Sequence, residues 1–316
     1  MIGVLKFGGS SFLGLDGYGS VARYLANRVA AGERLVCVVS AMSGTTGRLL
    51  EAARALDPEL EPEVQDEILA TGEMVSAGFL RAALRAEGIS ALSLCAPQLG
   101  LRSDGPELTA AGAGPVRSAL ASHSVVVVAG GQAIDGGGRV RMLGRNSSDL
   151  TAVVLAAALQ LPGCEIFSDV AGVYTADPYV VPSARLLPGV SYAQCEAMAA
   201  AGAKVLHGAS VAVAREHAVR ISCRSLVDGE AVTGSVIGLG LGTPTVTGDR
   251  ARGLVTVVGP DGSARASEVP PSEVDSAVLA VHGELYGRHE GVPTLVKARS
   301  GHSGLLTGVT LTGVTQ

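Results

Sequence analysis

The chain has 316 residues, of which 47% are apolar and only 3% are aromatic, and its formal net charge at pH 7 is −5. This length allows one large or two smaller domains, and the scarcity of aromatic residues means that Ala, Val and Leu must fill the core. The acidic balance argues against nucleic acid as the main partner, because neutralising phosphates requires clustered Lys and Arg.

Short apolar runs alternate with helical patterns through the first two thirds of the chain. In chain order, the predictions are a strand at 4–7, a helix at 20–31, a strand at 35–39, a helix at 63–86, strands at 89–94 and 125–128, a hairpin turn at 135–138, a helix at 148–161, a strand at 165–167, helices at 192–201 and 207–216, and a strand at 220–223. Alternating strands and helices predict an α/β fold with a mainly parallel sheet and helices on both faces.

The composition changes after residue 228, where Gly, Thr, Ser and Val dominate. One further helix is predicted at 272–286, between strands at 254–258 and 294–296. We therefore expect a large α/β domain over 1–228 and a small α+β domain over 235–316.

Cysteine usage and hydropathy predict the compartment. The cysteines are odd in number and form no C-x-x-C pair, which favours reduced thiols in a cytoplasmic protein. They are Cys37, Cys95, Cys164, Cys195 and Cys223. The longest apolar stretch is about half of the ~20 residues of a membrane span. The first residues lack the pattern of a secretory signal. We therefore expect no membrane partner. No H-x-x-x-H pair occurs, so we expect no zinc site.

The start of the chain places Lys6, Gly8 and Gly9 at the end of the first predicted strand. Ligands of open α/β sheets bind at the carboxyl ends of the strands. Glycines allow backbone N–H groups to approach an anion, and a lysine adds a point charge. This is not a Walker A loop, because there the lysine follows the glycines. An ordinary glycine turn with a solvated lysine explains the same residues equally well.

Six motifs in a fixed order favour the anion-binding interpretation of these residues. They are K-F-G-G-S-S from residue 6, V-V-S-A-M from 38, G-E-M-V-S from 72, L-G-R-N-S-S-D from 143, S-D-V-A-G-V-Y-T-A-D-P from 168 and G-A-K-V-L-H from 202. Each is weak alone, but together the sequence resembles the amino acid kinase superfamily, and most closely the aspartate kinases. The resemblance implies an αβα sandwich that binds ATP with Mg²⁺ beside aspartate and transfers the γ-phosphoryl group to the β-carboxylate.

The same resemblance assigns roles in phosphoryl transfer and nucleotide binding. Lys6 would stabilise the transferring group with the N–H groups of Gly8 and Gly9, and Asp149 would organise the lysine and the magnesium–phosphate assembly. The residues implied to hold the nucleotide are Ser168, Asp169, Tyr174 and Lys204. From the residues alone, Asp169 could equally be a turn former and Lys204 a helix-end lysine.

The resemblance also implies a pocket for the amino acid. Arg145 would pair with the α-carboxylate and Glu73 with the α-ammonium. The full set implied to contact the substrate is Ser40, Thr45, Glu73, Arg145, Asn146 and Ser148. Without the family, Glu73 could be a solvated helix charge. Arg145 and Asp149 could be merely a structural i,i+4 pair.

Several residues depart from the family pattern. Asn146 and Ser147 replace two glycines, Gln132 replaces a phenylalanine and Tyr179 replaces an arginine. Aspartate is therefore the first expected acceptor. Another amino acid or small carboxylate of a specialised pathway is the alternative, and a catalytically weak regulatory homologue is the second. The segment after the kinase-like part has room for about one ACT-like module, and we expect a homodimer built partly by this tail.

Overall fold

The computed structural model describes residues 1–103, 108, 112–144, 147–203, 205–232 and 234–287. Its first half contains β1 (Ile2–Phe7), α1 (Leu15–Ala30), β2 (Arg34–Val39), α2 (Thr45–Leu56), α3 (Pro62–Ala86), β3 (Ala91–Leu94), α4 (Ala96–Leu99), α5 (Ala113–Ser122), β4 (Val125–Ala129), β5 (Gln132–Ile134) and β6 (Val140–Met142). Its second half contains α6 (Ser148–Ala158), β7 (Gly163–Phe167), β8 (Gly189–Val190), α7 (Tyr192–Ala200), α8 (Gly208–Glu216), β9 (Arg220–Val227), β10 (Glu230–Val232), β11 (Val236–Ile237), β12 (Thr245–Asp249), β13 (Leu254–Val258), β14 (Ala264–Glu268) and α9 (Val274–Tyr286).

The main sheet has the strand order β3-β4-β2-β1-β7-β9-β11-β8, and β10 pairs with β9. Every pair from β3 to β9 is parallel, whereas β11 runs antiparallel to β9. The prediction of a mainly parallel sheet is therefore confirmed. Because β1 lies between β2 and β7, its carboxyl end is at the centre of the sheet edge where ligands of such folds bind.

Side chains of the central strands alternate between two cores. In β2, Val36 and Val38 enter one core, whereas Leu35 and Val39 enter the other. Residues of α5, α6, α7 and α8 complete the first core, and residues of α1 and α3 complete the second. The fold is an αβα sandwich, as the sequence resemblance implied.

Three helices of the structure, α2, α4 and α5, were not predicted from the sequence. In α2, the helix follows Gly44 in the left-handed region (φ 76°), and Ala53 is its one buried residue. The helix α5 is a ten-residue element. Conversely, α6 ends at Ala158 rather than at residue 161, and Gln160 beyond it has a φ of 60°.

The C-terminal part forms its own antiparallel sheet of β12, β13 and β14, against which α9 packs. Val246, Val255 and Val278 form its small core together with Ala176 and Val181 of the preceding segment. The strand predicted at 254–258 and the helix predicted at 272–286 are thus confirmed. The strand predicted at 294–296 lies outside the described residues.

The division into domains at 228–235 stays a prediction, as does the ACT-like nature of the smaller unit. The strand β11 belongs to the main sheet, so that sheet continues past residue 235. No helix of the described ranges is both long and apolar enough to cross a lipid bilayer.

Candidate active site

Lys6 and Asp149 form a buried ion pair at the carboxyl end of β1. The alternation of β1 places Lys6 on the same face as Val4, towards α6, and Asp149 is the second residue of that helix. Lys6 Nζ lies 2.7 Å from Asp149 Oδ1, and the two side chains are 9% and 6% exposed. Burying two charges carries a large desolvation cost, so such a pair is weak evidence for stability alone. The pair holds the ammonium group at the ligand-binding edge of the sheet.

Gly8 and Gly9 leave the space beside this ammonium group open. A Cβ atom placed on Gly8 would lie 3.3 Å from Lys6 Nζ, and one on Gly9 would lie 3.1 Å from the carbonyl oxygen of Ala41. The Gly8 N–H donates to the carbonyl of Phe167 at 3.3 Å, which ties the end of β1 to the end of β7. Side chains at these positions would crowd the lysine and the neighbouring loop.

The helix α6 begins directly beside the end of β2. Ser40 Oγ and Ser148 Oγ are 2.7 Å apart, and the Ser40 N–H donates to the Phe7 carbonyl at 3.1 Å. A Cβ atom on Gly130 would lie 2.6 Å from Ser148 Cβ, so the helix start packs closely against the end of β4. The positive end of the α6 dipole therefore faces the same space as Lys6 and favours an anion there.

Glu73 lies on the buried face of α3 rather than in solvent. Its Oε1 accepts from the Ala41 N–H at 3.2 Å, whereas Oε2 has no hydrogen-bond partner in the part of the chain that the structure describes. Burial raises the pKa of this carboxyl, and the bond from Ala41 opposes that shift. The solvated-charge interpretation of Glu73 is therefore wrong.

Gly72 explains how α3 comes so close to the loop after β2. A Cβ atom on Gly72 would lie 3.1 Å from Ala41 Cβ and 3.5 Å from Thr45 Cγ2. Thr45 begins α2, and its Oγ1 accepts from Arg48 Nη2 at 3.1 Å. The structure thus brings Ser40, Thr45 and Glu73 to one side of the strand edge.

The three described candidates for nucleotide binding follow β7, the neighbour of β1. Ser168 Oγ donates to the Val170 carbonyl at 2.8 Å, and Asp169 is exposed. Tyr174 is half-buried, and burial raises the pKa of its phenol. Gly172 packs closely against Ser235 in this segment. A Cβ atom on Gly172 would lie 2.4 Å from the Ser235 Oγ, so a side chain would not fit there.

Comparison with known proteins shows the family to which the chain belongs. The sequence profile described as the amino acid kinase family matches residues 1–225. The chain belongs to the amino acid kinase family. An aspartokinase of Mycolicibacterium smegmatis is 39% identical over 278 residues, which are 84% of this chain and 66% of the relative. The chain spans 54% to 66% of the length of the first four curated relatives that it matches.

Solved structures agree on the fold of this amino acid kinase. The aspartate kinase from Synechocystis is 33% identical, with a TM-score of 0.65, over 75% of this chain and 39% of that one. The E. coli aspartokinase III in complex with aspartate and ADP has a TM-score of 0.63 over 78% of this chain and 67% of that one. At 23% identity, this second likeness concerns the fold alone.

Three predicted site residues of this amino acid kinase lie outside the described residues: Arg145, Asn146 and Lys204. Their roles stay predictions. The adjacent Ser147 is 2% exposed, and its Oγ donates to the Gly144 carbonyl at 2.6 Å. The Ser147 hydroxyl group, which the family pattern lacks, is therefore engaged in a hydrogen bond within the turn that precedes α6.

Gly130 and Gly131 are positions of the candidate site that the sequence analysis did not find. Gly131 has a φ of 72°, and its N–H donates to Thr151 Oγ1 at 3.0 Å. Two consecutive glycines at the end of a buried strand were the signal that could have found them. Gln132, which was noted only as a departure from the family, is fully buried beside α3.

The β5–β6 hairpin that carries Gln132 is fastened to the first turns of α3. Arg141 Nε lies 3.1 Å from Asp66 Oδ2, and Arg139 pairs with Glu63. Burial raises the pKa of Asp66, and a backbone hydrogen bond from Met142 and the charge of Arg141 oppose that shift. Among the described residues, no group of three or more His, Cys, Asp or Glu side chains could hold a metal ion.

Proposed function

We propose that this chain is an aspartate kinase, which transfers the γ-phosphoryl group of ATP to the side-chain carboxylate of aspartate. The observation that carries the proposal is the buried Lys6–Asp149 pair at the carboxyl end of β1, beside the start of α6. The aspartokinase names of the curated relatives, and the aspartate and ADP held by the E. coli enzyme of the same fold, support it.

The geometry suits a reaction that needs positioning and charge neutralisation more than covalent catalysis. Lys6 Nζ would donate to the oxygens of the phosphoryl group in transfer, and the Gly9 N–H would add a donor on the same side. The Gly8 N–H, to which the resemblance gave the same role, instead donates to the Phe167 carbonyl. Asp149 would hold Lys6 in place. The acceptor carboxylate is ionised at neutral pH, so the site needs no general base.

The amino acid would lie between α3 and the start of α6. The free Oε2 of Glu73 would accept from the α-ammonium, and Arg145 would pair with the α-carboxylate. An Arg fork and a carboxylate at opposite ends suit a zwitterion. Ser40, Thr45 and Ser148 would line the pocket.

The nucleotide would lie along the carboxyl ends of β7 and β1, held by Ser168, Asp169, Tyr174 and Lys204. Mg²⁺ would neutralise charge on the phosphates. Proteins usually hold this ion through one or two carboxylates together with the phosphates, and the buried Asp149 carboxylate fits that requirement.

The test is ADP release from ATP across a panel of aspartate, glutamate, other amino acids and small dicarboxylates, with hydroxylamine trapping of any acyl phosphate. We expect trapped product with aspartate. If acyl phosphate is trapped with another compound and not with aspartate, the acceptor is that compound, as the specialised-pathway alternative expects. If no compound of the panel stimulates ADP release, the kinase proposal is overturned and the regulatory homologue is favoured.

We also propose that the chain forms a cytoplasmic homodimer, and the outer face of α3 supports this assembly. Val64, Met74, Val75 and Phe79 are 40–52% exposed on that helix. Exposed apolar side chains in a contiguous stripe are typical of an interface. The unpaired thiols of the described chain support a reducing compartment.

Charge favours a second copy of this chain as the partner on α3. Exposed Glu67 lies in the N-terminal half of the helix, and exposed Arg85 lies in the C-terminal half. Antiparallel pairing of two copies about a twofold axis would bring opposite charges together.

Sedimentation velocity tests the homodimer. Val75→Glu should yield monomers, Leu279→Glu, a 49% exposed position on α9, tests the expected contribution of the tail, and Leu56→Glu, a 90% exposed position on α2, is the matched control. Dissociation by Leu279→Glu alone would favour the tail as the interface. A wild-type monomer at all concentrations would refute the homodimer.

A further inference from the structure

Gln132 is a fully buried amide in a place where the family pattern has an apolar side chain. It has no solvent exposure, and it begins β5 immediately after Gly131. Gly131 accepts from Leu143 N–H and lies next to the start of α6, since a Cβ atom on it would be 2.9 Å from Ser147 Oγ. Gln132 therefore lies between the N-terminus of α6 and the buried face of α3.

The orientation of this amide is fixed by the one side-chain hydrogen bond that it makes to the described residues. Gln132 Nε2 donates to the Ala70 carbonyl of α3 at 3.1 Å. Because a carbonyl can only accept, the nitrogen must face Ala70, and the oxygen must face the other way. Gln132 Oε1 is buried and has no hydrogen-bond partner among the described residues. A buried acceptor without a partner is costly, so Gln132 Oε1 would gain from a donor that the described residues do not supply.

Glu73 presents a second unmet acceptor on the same face of α3. Its Oε2 is also buried and has no partner within the described ranges. Ala70 and Glu73 are three residues apart, which is a rise of about 4.5 Å along the helix. Two acceptors on one ammonium group lie roughly 4–5 Å apart when each bond is about 2.8–2.9 Å long. The helix residues that anchor the two side chains therefore lie within one turn of α3, which would let both oxygens reach one ammonium ligand.

We propose that Gln132 Oε1 and Glu73 Oε2 jointly bind the α-ammonium of the acceptor substrate, and that Gln132 thereby selects for a free amine. The inference rests on the proposed function for the identity of the substrate, but it concerns a side chain to which the family resemblance gives no role. Gln132 is a substrate-binding residue that sets specificity.

Two acceptors on one ammonium group would reject several close analogues of an amino acid for distinct reasons. A dicarboxylate without the amine, such as succinate, leaves both oxygens unpaired. A hydroxyl group, as in malate, has one hydrogen to donate and no charge. An N-acylated amino acid has one N–H and adds a carbonyl oxygen, which would face the two acceptors. The site therefore fits an α-amino acid with an unmodified ammonium group.

The experiment measures the affinities of aspartate, succinate and malate in wild type and in Gln132→Met, by calorimetry with a non-hydrolysable ATP analogue present. Loss of one bond to a charged donor should weaken aspartate binding about 10- to 100-fold. Succinate, which makes neither bond, should change little. The aspartate-to-succinate ratio should therefore fall by the same factor.

Gln194→Met is the matched control. Gln194 is 1% exposed on α7, and its Nε2 also donates to a backbone carbonyl, that of Thr243 at 2.8 Å. This variant should keep the wild-type ratio. An unchanged ratio in a folded Gln132→Met protein would overturn the inference, even where aspartate turnover confirms the kinase proposal. Aspartate binding that depends on Gln132 without any acyl phosphate would instead reject the proposed reaction.

If Gln132→Met does not fold, the wild-type protein is tested with modified ligands instead. N-methylaspartate keeps two N–H donors, whereas N,N-dimethylaspartate keeps one and the same positive charge. We expect wild type to lose about 10-fold or more between these two ligands, since one acceptor then has no donor. Equal affinities would overturn the two-acceptor arrangement.

Discussion

Replacement of Lys6 by methionine should damage both the stability and the activity of this kinase, and a second substitution should separate the two effects. The Lys6–Asp149 pair is more than nine-tenths buried on both sides, with 2.7 Å between Nζ and Oδ1. Removing one member of a buried pair leaves an uncompensated charge, which costs about 3–5 kcal/mol of unfolding free energy. Loss of one charge partner of the transferring phosphoryl group should also lower kcat by about 10² or more.

The double variant Lys6→Met/Asp149→Asn removes the stranded carboxylate. It should recover most of the lost stability, because a neutral pair of similar volume needs no counter-charge. It should not recover activity, because the donor to the phosphoryl group is still missing. Urea denaturation and steady-state ADP release measure the two quantities. A Lys6→Met protein as stable and active as wild type would refute the reasoning, and a double variant with restored kcat would remove Lys6 from catalysis.

Three other predictions concern the surroundings of the site. Gly130→Ala should lower kcat at least about 10-fold while the chain stays folded, because its Cβ would meet Ser148 Cβ at 2.6 Å and displace the start of α6. Burial lowers the pKa of His282, so the folded chain binds this proton less readily than the unfolded chain. Stability should therefore fall below about pH 6.5, and His282→Gln should flatten that part of the melting-temperature profile. Ellman's reagent should modify the half-buried Cys95 quickly and the buried cysteines only on unfolding, since burial raises the pKa of Cys37, for example.

Local pattern was sufficient for the elements that place the proposed phosphate-binding part of the site. The strands β1, β2, β4 and β7 are apolar runs that end at glycine or hydroxyl residues, and their carboxyl ends meet because parallel strands share one edge. The order of the sequence motifs therefore already implied that Lys6, Ser40 and Asp149 would converge. Elements with no periodic signal, such as β14, whose residues are all exposed, could not be predicted in this way.

The amino acid pocket depended on contacts that no local pattern contains. Glu73 sits in a long helix where a solvated charge is the ordinary interpretation. Its burial follows from Gly72, whose missing side chain lets α3 approach Ala41, and from the hairpin that closes over the same helix. The same carboxylate that would stabilise an exposed helix weakly thus becomes an acceptor that needs a donor.

Gln132 shows why such a residue carries information once its surroundings are known. A glutamine in a sequence is compatible with a loop surface, and its departure from a phenylalanine alone does not say whether it adds bulk or a function. In the structure, its nitrogen donates to the Ala70 carbonyl and its oxygen has no hydrogen-bond partner within the described residues, so a ligand that donates to this oxygen would offset its desolvation cost. This cost is present in the free protein and in a complex with succinate alike, and a donor on the ligand removes it. A gain in affinity for aspartate, with little change for succinate, is therefore the physical advantage of an amide at this position.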